Sequence, residues 1–205
     1  MAVVAGARSG VRACSSLLRS SCLALLVAAA ATQAQTAAPP KLVAAQSEIT
    51  FQVKQSGVPI DGRFRSFDAQ VALDPKAPQS GSVSLSIDIA SATVGFAESD
   101  AELPRPAWFN AQTFPRAVFQ SSAIKGVGPG RLQVAGKLTI KGTSQELLVP
   151  VTIVQAGLLS TATGEFVVKR LDFKIGENEW ADVSLVANDV RVRFKLVLSG
   201  LGPLP

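Results

Sequence analysis

Histidine is absent from all 205 residues, and the two cysteines, Cys14 and Cys22, both stand near the N-terminus. They fall in a stretch with the order of a secretory signal peptide: Arg8, Arg12 and Arg19, then an apolar run from Leu23 to Ala31, then small residues up to Ala34. Cleavage is expected near Thr32-Gln33-Ala34, which leaves a mature chain with no thiol and no disulfide of its own. Without histidine or a mature cysteine, the usual nucleophilic triads and zinc or haem sites cannot be built from this chain alone. No catalytic set, no metal and no resident cofactor is therefore expected. The run from Leu23 to Ala31 is far shorter than the roughly 20 residues that cross a bilayer, so the expectation is a soluble, exported protein rather than an anchored one. Strong charge is missing too. The leader removes three of twenty basic residues and none of fifteen acidic ones, so the mature charge is 17 minus 15, or +2. A balance that close to neutral gives no reason to expect nucleic acid as a partner.

What the chain has in quantity is alternation. Ile49, Phe51 and Val53 alternate with polar residues, and Phe67, Ala69, Val71 and Leu73 do the same within a strand expected over Arg63 to Leu73. Val83, Leu85, Ile87 and Ile89 alternate without exception with Ser82, Ser84, Ser86 and Asp88. The rhythm returns at Ala117 to Ser121, Arg131 to Ile140, Leu147 to Ile153, Thr161 to Arg170 and Asp189 to Leu198, with a less regular strand expected over Trp180 to Val186. Gly126-Val127-Gly128-Pro129-Gly130 lacks the helix and lysine of a phosphate loop and reads as a hairpin turn, as does Lys141-Gly142-Thr143. Pro150 has no backbone donor and is expected at a bulge or a poorly paired position. Eight or nine long antiparallel strands at regular spacing, without a repeat or a second domain, indicate an all-β sandwich or barrel, and only closure removes the edges of strands this long. The division is a leader over 1–34, a flexible lead-in over 35–41, one barrel domain over 42–199 and a tail over 200–205.

One segment breaks the rhythm. Asp100 to Pro115, DAELPRPAWFNAQTFP, crowds prolines, a tryptophan and two phenylalanines between strands. It reads as a short helical insertion that packs across one end or along one side of the barrel, with Leu103, Trp108 and Phe109 turned inward and Glu102 and Arg105 turned to water. Asp100 and Glu102 suit the first turn of a short helix, where carboxylates are stabilised, and Glu177 and Glu179 suit a solvated loop. Arg170 falls on the same strand face as Phe166 and Val168. An arginine there meets a ligand's polar end or closes an internal salt bridge with Asp172 or Asp182, and the second is favoured because an unpaired buried charge is costly. Trp108, Phe109, Phe114 and Trp180 are either core packing or an apolar mouth.

The order and spacing of Phe64-x-x-Phe67, Asp100-x-x-Leu103, Trp108-Phe109, Phe114-Pro115, Phe119-x-Ser121, Gly136-x-Leu138-Thr139-Ile140-x-Gly142 and Arg170-x-Asp172-Phe173-x-Ile175-Gly176 resemble the YceI family of exported, polyisoprenoid-binding proteins. The resemblance runs from about Leu42 to Ser199. It implies a lipocalin-like antiparallel β-barrel of about eight strands with a short helical insertion, a periplasmic address, and a long apolar pore. That pore would hold an isoprenoid chain, such as a quinone tail or a polyprenyl lipid. Some relatives are fused to, or work beside, membrane cytochromes of the b561 type, which implies a quinone-linked role, and a homodimer is among the oligomeric states left open. The family's frequent histidine in the segment matching Glu102-Leu103 has no counterpart here, so its role does not carry over. Phe51, Phe67, Leu85, Ile87, Leu103, Trp108, Phe109, Phe119, Leu138, Phe166, Arg170, Phe173, Trp180 and Phe194 are the candidate ligand-binding residues. Two other readings stay open: an enzyme acting on an isoprenoid lipid through Asp100, Glu102 or Arg170, and a barrel filled by its own side chains that serves as an interaction module.

Overall fold

The alternating segments close into a ring. The computed structural model describes residues 39–204, so the expected leader and the start of the lead-in lie outside the described residues. Eleven strands form one antiparallel sheet: β1 (Lys41–Leu42), β2 (Glu48–Gln55), β3 (Val58–Phe64), β4 (Phe67–Ala72), β5 (Ser82–Asp88), β6 (Ala92–Thr93), β7 (Arg116–Gly128), β8 (Arg131–Ile140), β9 (Thr143–Ala156), β10 (Leu159–Lys169) and β11 (Asp189–Ser199). Three of the eight barrel staves are bent, and each bend divides one stave into two of these strands. A 3-10 turn at Ala44–Gln46 separates β1 from β2, Arg65-Ser66 separates β3 from β4, and a 3-10 turn at Ile89–Ser91 separates β5 from β6. Lys41 closes the ring by pairing with Ser199 on one side and Gln70 on the other, so pairing already begins inside the stretch assigned to the lead-in. Both edges of the sheet are thereby removed.

The barrel interior is kept open by a local device. A Cβ built on Gly62 would clash with the ring of Phe51, one on Gly164 with the ring of Phe194, and one on Gly136 with the ring of Phe119 and the Gln120 carbonyl. Phe51 and Gly62 are direct cross-strand partners, as are Phe194 and Gly164. Each ring therefore lies flat on the wall over a residue with no side chain, where an ordinary neighbour would push it toward the axis.

The wall is not evenly sewn. β8 and β9 pair along the whole of β8, from Arg131↔Thr152 to Ile140↔Thr143, but β9 and β10 pair only from Leu159↔Ala156 to Gly164↔Val151. The ladder stops one residue short of Pro150, whose missing N–H ends it as expected. Beyond that point β9 and β10 separate toward the end that carries the irregular segments.

Two strand expectations are corrected. Trp180 to Val186 is not a strand: Asn178–Ala181 is a 3-10 turn, and Asp182 then caps a second turn by accepting from the Ser184 N–H at 2.8 Å through its side chain and from Leu185 and Val186 through its carbonyl. Only Val186 bridges to a strand, at Gln55. Val58–Phe64 is a strand although its Pro59, Asp61 and Gly62 hide the alternation.

By strand direction, the long connections divide between two ends. The hairpin 55–58, the segment 89–115, the turn 141–142 and the segment 170–188 gather at one end. At the other, the tail folds back: Leu201 is buried, Leu204 packs against the core, and the Gln155 side chain binds the tail backbone at Leu201, Gly202 and Leu204.

Adding a methyl at Gly164 should dislodge the Phe194 ring and lower the unfolding free energy by about 1–3 kcal/mol in urea titration, the usual scale for overpacking. Gly164→Ala/Phe194→Leu should recover part of that loss. A Gly164→Ala variant as stable as the parent would contradict the flat-ring packing.

Candidate functional site

Two cavities occupy the barrel and its capped end. The inner one, of about 150 Å³, is lined by apolar side chains only, among them Leu85, Ile87, Phe119, Leu138, Phe166 and Phe194. The outer one, of about 200 Å³, lies under the capping segments and is lined by Phe51, Ile60, Val94, Leu103, Trp108, Ile175, Trp180 and Val190, with Gln55, Ser99, Glu102 and Arg170 as its polar members. Phe64, Phe109, Ile140, Val168 and Val192 line both, so the two spaces adjoin. Phe64 and Phe109 meet edge to face at that junction, with ring centroids 6.3 Å apart, and Phe51 stacks behind Phe64 at 5.3 Å. The result is an apolar passage with an aromatic constriction.

The capping segment is built on a short helix, α1 (Ala97–Glu102). Asp100 in its first turn reaches back over the preceding strand end, accepting from the Thr93 hydroxyl at 2.6 Å and from the Val94 N–H at 2.7 Å. The Thr93 hydrogen bond first, and then that of Val94, hold the Asp100 carboxyl below its ordinary range. Leu103 and Phe109 are buried, and Trp108 lines the outer cavity with its ring 5.4 Å from that of Trp180. Arg105 is exposed and pairs at 2.9 Å with Glu102, which is half-exposed at the cavity margin.

Arg170 corrects the expected salt bridge. It is 2% exposed, yet among the described residues no carboxylate pairs with it. Its guanidinium instead donates to four backbone carbonyls: Nε to Ala187 at 3.1 Å, Nη1 to Ile175 at 2.9 Å and Gly176 at 3.0 Å, and Nη2 to Val186 at 2.6 Å. These carbonyls belong to turns that have no ladder partner to satisfy them. Gly176, at φ +76°, has no side chain because Arg170 occupies that space. Burial pushes the arginine below its ordinary pKa.

Lys141 does the same work from the β8–β9 turn. Its Nζ, buried within the capped end, donates at 2.7 Å to Pro106 O, Lys174 O and the Glu177 carboxylate. The lysine hydrogen bond holds the Glu177 pKa below its ordinary range, so Glu177, half-exposed on its loop as expected, also ties that loop to the β8–β9 turn. The Ala107 carbonyl adds two further links by accepting from the Gly176 and Glu177 amides. Lys141 reads in sequence as a turn residue beside Gly142, and only its adoption of φ +49° in the turn, unusual for lysine, marks it out.

Of the fourteen candidate ligand-binding residues, Phe51, Leu103, Trp108, Phe109, Arg170 and Trp180 line the outer cavity, and Leu85, Ile87, Phe109, Phe119, Leu138, Phe166 and Phe194 line the inner one. Phe67 and Phe173 line neither. Phe67 packs at the rim of the core opposite Ile87, and Phe173, 1% exposed, plugs the turn after β10. Phe64 and Lys141 are the residues that sequence reasoning passed over; the first stands in the Phe64-x-x-Phe67 motif and the second beside the glycine of a hairpin.

The profile of the YceI-like domain matches residues 41–198. Among solved structures, BcnA of Burkholderia cenocepacia is 40% identical, with a TM-score of 0.74 over 77% of this chain and 99% of that one. A polyisoprenoid binding domain of Saccharophagus degradans, implicated in plant cell wall breakdown, is 15% identical with a TM-score of 0.65 over 79% of this chain and 98% of that one, a likeness of fold. A UPF0312 protein of Vibrio cholerae is 30% identical over 114 residues, 55% of this chain, and the match spans 60% of that relative's length.

Lys141→Met should leave the Pro106 and Lys174 carbonyls without a donor and cost about 2–3 kcal/mol in chemical denaturation. The lowered Asp100 pKa makes its stabilisation full above the ordinary value of 3.8 and lost as pH falls through the lower folded value. Acid titration followed by tryptophan fluorescence should therefore show the capped end loosening below about pH 4, and Asp100→Asn should loosen it already at neutral pH and flatten that acid limb.

Proposed function

Because the chain belongs to the YceI-like domain family, we propose that it is a binding protein that holds a long isoprenoid chain, the tail of a polyprenyl lipid or of a quinone, inside its barrel. The observation that carries this reading is the inner cavity, which has only apolar side chains on its wall and continues past the Phe64–Phe109 constriction into the outer one. A wall without donors or acceptors favours a hydrocarbon, and the 15%-identical polyisoprenoid binding domain, whose fold this chain shares, supports the choice of hydrocarbon. Catalysis finds less support. Asp100 is spent on Thr93 and Val94, Glu102 on Arg105, and the recorded bonds of Arg170 all go to backbone. In our reading the leader sends the protein to the periplasm, where it carries or stores the lipid, with support of quinone-linked electron transfer beside a membrane cytochrome of the b561 type as its most specific form.

Affinity then rises with chain length, because each buried methylene contributes about 0.8 kcal/mol, and one more isoprene unit tightens binding by at least about tenfold until the passage is full. Extraction of the protein purified from its own cell envelope, followed by mass spectrometry, should yield a prenyl lipid or quinone. Repeated recovery of empty protein, together with no length dependence in titrations of prenols, would sink the reading.

A further inference from the structure

The wall of the inner cavity has one unsewn line. β9 is paired with β8 along the whole of β8, and β10 with β11 from Leu159↔Ser199 to Lys169↔Asp189, but β9 and β10 are joined to each other only as far as Gly164↔Val151. Ile153 donates its N–H to Gly130 on the β8 side, so by strand alternation Pro150, Leu148 and Glu146 turn their backbone groups toward β10. Pro150 thus withholds its donor at the pair where the ladder stops. Continued residue by residue, the register would set Val149 against Phe166, Leu148 against Val167, and Glu146 against Lys169. Those pairs are complementary, two of them apolar and one of opposite charge. Yet Leu148 and Val167 are 60% and 49% exposed, Glu146 leans on Lys137 at 3.9 Å, and Glu165 is held by Arg191 and Arg193 on the β11 side. Each lip is fastened to its outer neighbour and neither to the other.

The slit has a bound at each end and a space on each side. One end is the ladder at Gly164↔Val151, and the other is crossed by Lys141, which reaches from the turn before β9 to Lys174 and Glu177 after β10. Val149, Phe166 and Val168 present the edges of the slit to the inner cavity. On the outside, a groove of about 580 Å³ lies over the fork between Pro150, Thr152, Thr163 and Glu165, and it shares Leu132, Val151 and Phe194 with the cavity lining. The wall there is one residue thick. Resting on the isoprenoid reading of that cavity, we propose that the β9–β10 seam is a lateral gate through which a prenyl chain enters and leaves sideways. In the state described the lips are apart; when they zip, Leu148 covers Val167, Glu146 meets Lys169 and the slit closes behind the chain. Parting the lips breaks no ladder hydrogen bond to β8 or β11, so the ring opens here with the least loss. The missing donor of Pro150 keeps the zipped state from becoming permanent.

The test uses the mature protein, which keeps no cysteine once the expected leader is removed, with Leu148→Cys and Val167→Cys introduced together and joined by a short bis-methanethiosulfonate reagent. Geranylgeraniol is the probe, and stopped-flow fluorescence of Trp108 and Trp180 on the outer-cavity lining follows its association and release. Bridging the lips should slow both rates by at least about tenfold and leave the dissociation constant within about twofold, and a reductant should restore the rates. Pro150→Thr, which returns the missing donor, should slow both rates by about fivefold and protect the Leu148 and Val167 amides from hydrogen exchange. Unchanged rates in the bridged protein, a bridge that does not form although each thiol reacts singly, or a Pro150→Thr variant with neither slower rates nor protected amides would each overturn the gate while leaving the isoprenoid reading intact. Failure of geranylgeraniol to bind the parent protein would overturn both.

Discussion

Backbone carbonyls outside a β-ladder need donors, and the capped end of this barrel depends on how that need is met. Two long irregular segments and two tight turns meet there, and the turns inside them leave some of their carbonyls over. Arg170 gathers carbonyls from 175–176 and 186–187, while Lys141 gathers those of Pro106 and Lys174 together with the Glu177 carboxylate. Two cations thus replace what would otherwise be several unmade hydrogen bonds in a poorly hydrated place. The choice of long basic side chains follows from reach: each starts at the end of a strand and has to span the gap to a neighbouring loop. If either is lost, the cover keeps the Asp100 and Ala107 hydrogen bonds, the other cation and its apolar contacts, but several buried carbonyls stand without a donor.

Below that cover the problem is inverted, since the wall is held by its own ladders except where β9 and β10 part, and the difficulty is to leave space unfilled. Protein interiors ordinarily pack to the density of organic crystals, and a void forfeits dispersion contacts. Here the ring is closed by the bent β1–β2 stave, which pairs with β11 on one side and with β3 and β4 on the other, and the Gly62, Gly136 and Gly164 positions let large rings lie against the wall. The aromatic residues therefore supply apolar surface without consuming the lumen. Phe64 and Phe109, which have no glycine beneath them, are the ones that reach inward and meet.

Much of this was legible in the residues. Uninterrupted alternation marked β5, β8 and β11, the prolines and aromatics marked the cover, and the proline in β9 marked the point where its ladder ends. Alternation tells which face a residue occupies, however, and not what stands opposite it. That is why Arg170 was placed correctly on the inward face yet assigned an acidic partner, when the actual partners are carbonyls that no side-chain pattern encodes. The same limit put Phe67 and Phe173 among the lining residues: both pack in or against the core, but at a bend in the stave and in the turn after β10, where neither cavity reaches them. Trp180 to Val186 misled for a different reason. Its apolar residues are spaced like a strand, but Asp182 offers a side-chain acceptor two residues ahead, and that local turn wins over pairing.

The folded-back tail and the welded loops cover the two ends of the barrel by different means. Leu201 and Leu204, tethered through Gln155, stand at one end, and the welded loops stand at the other around the cavity mouth. The two ends therefore answer to different conditions: protonation of Asp100 and Glu177 loosens the loop end, while the tail end, held through an uncharged glutamine, does not feel it.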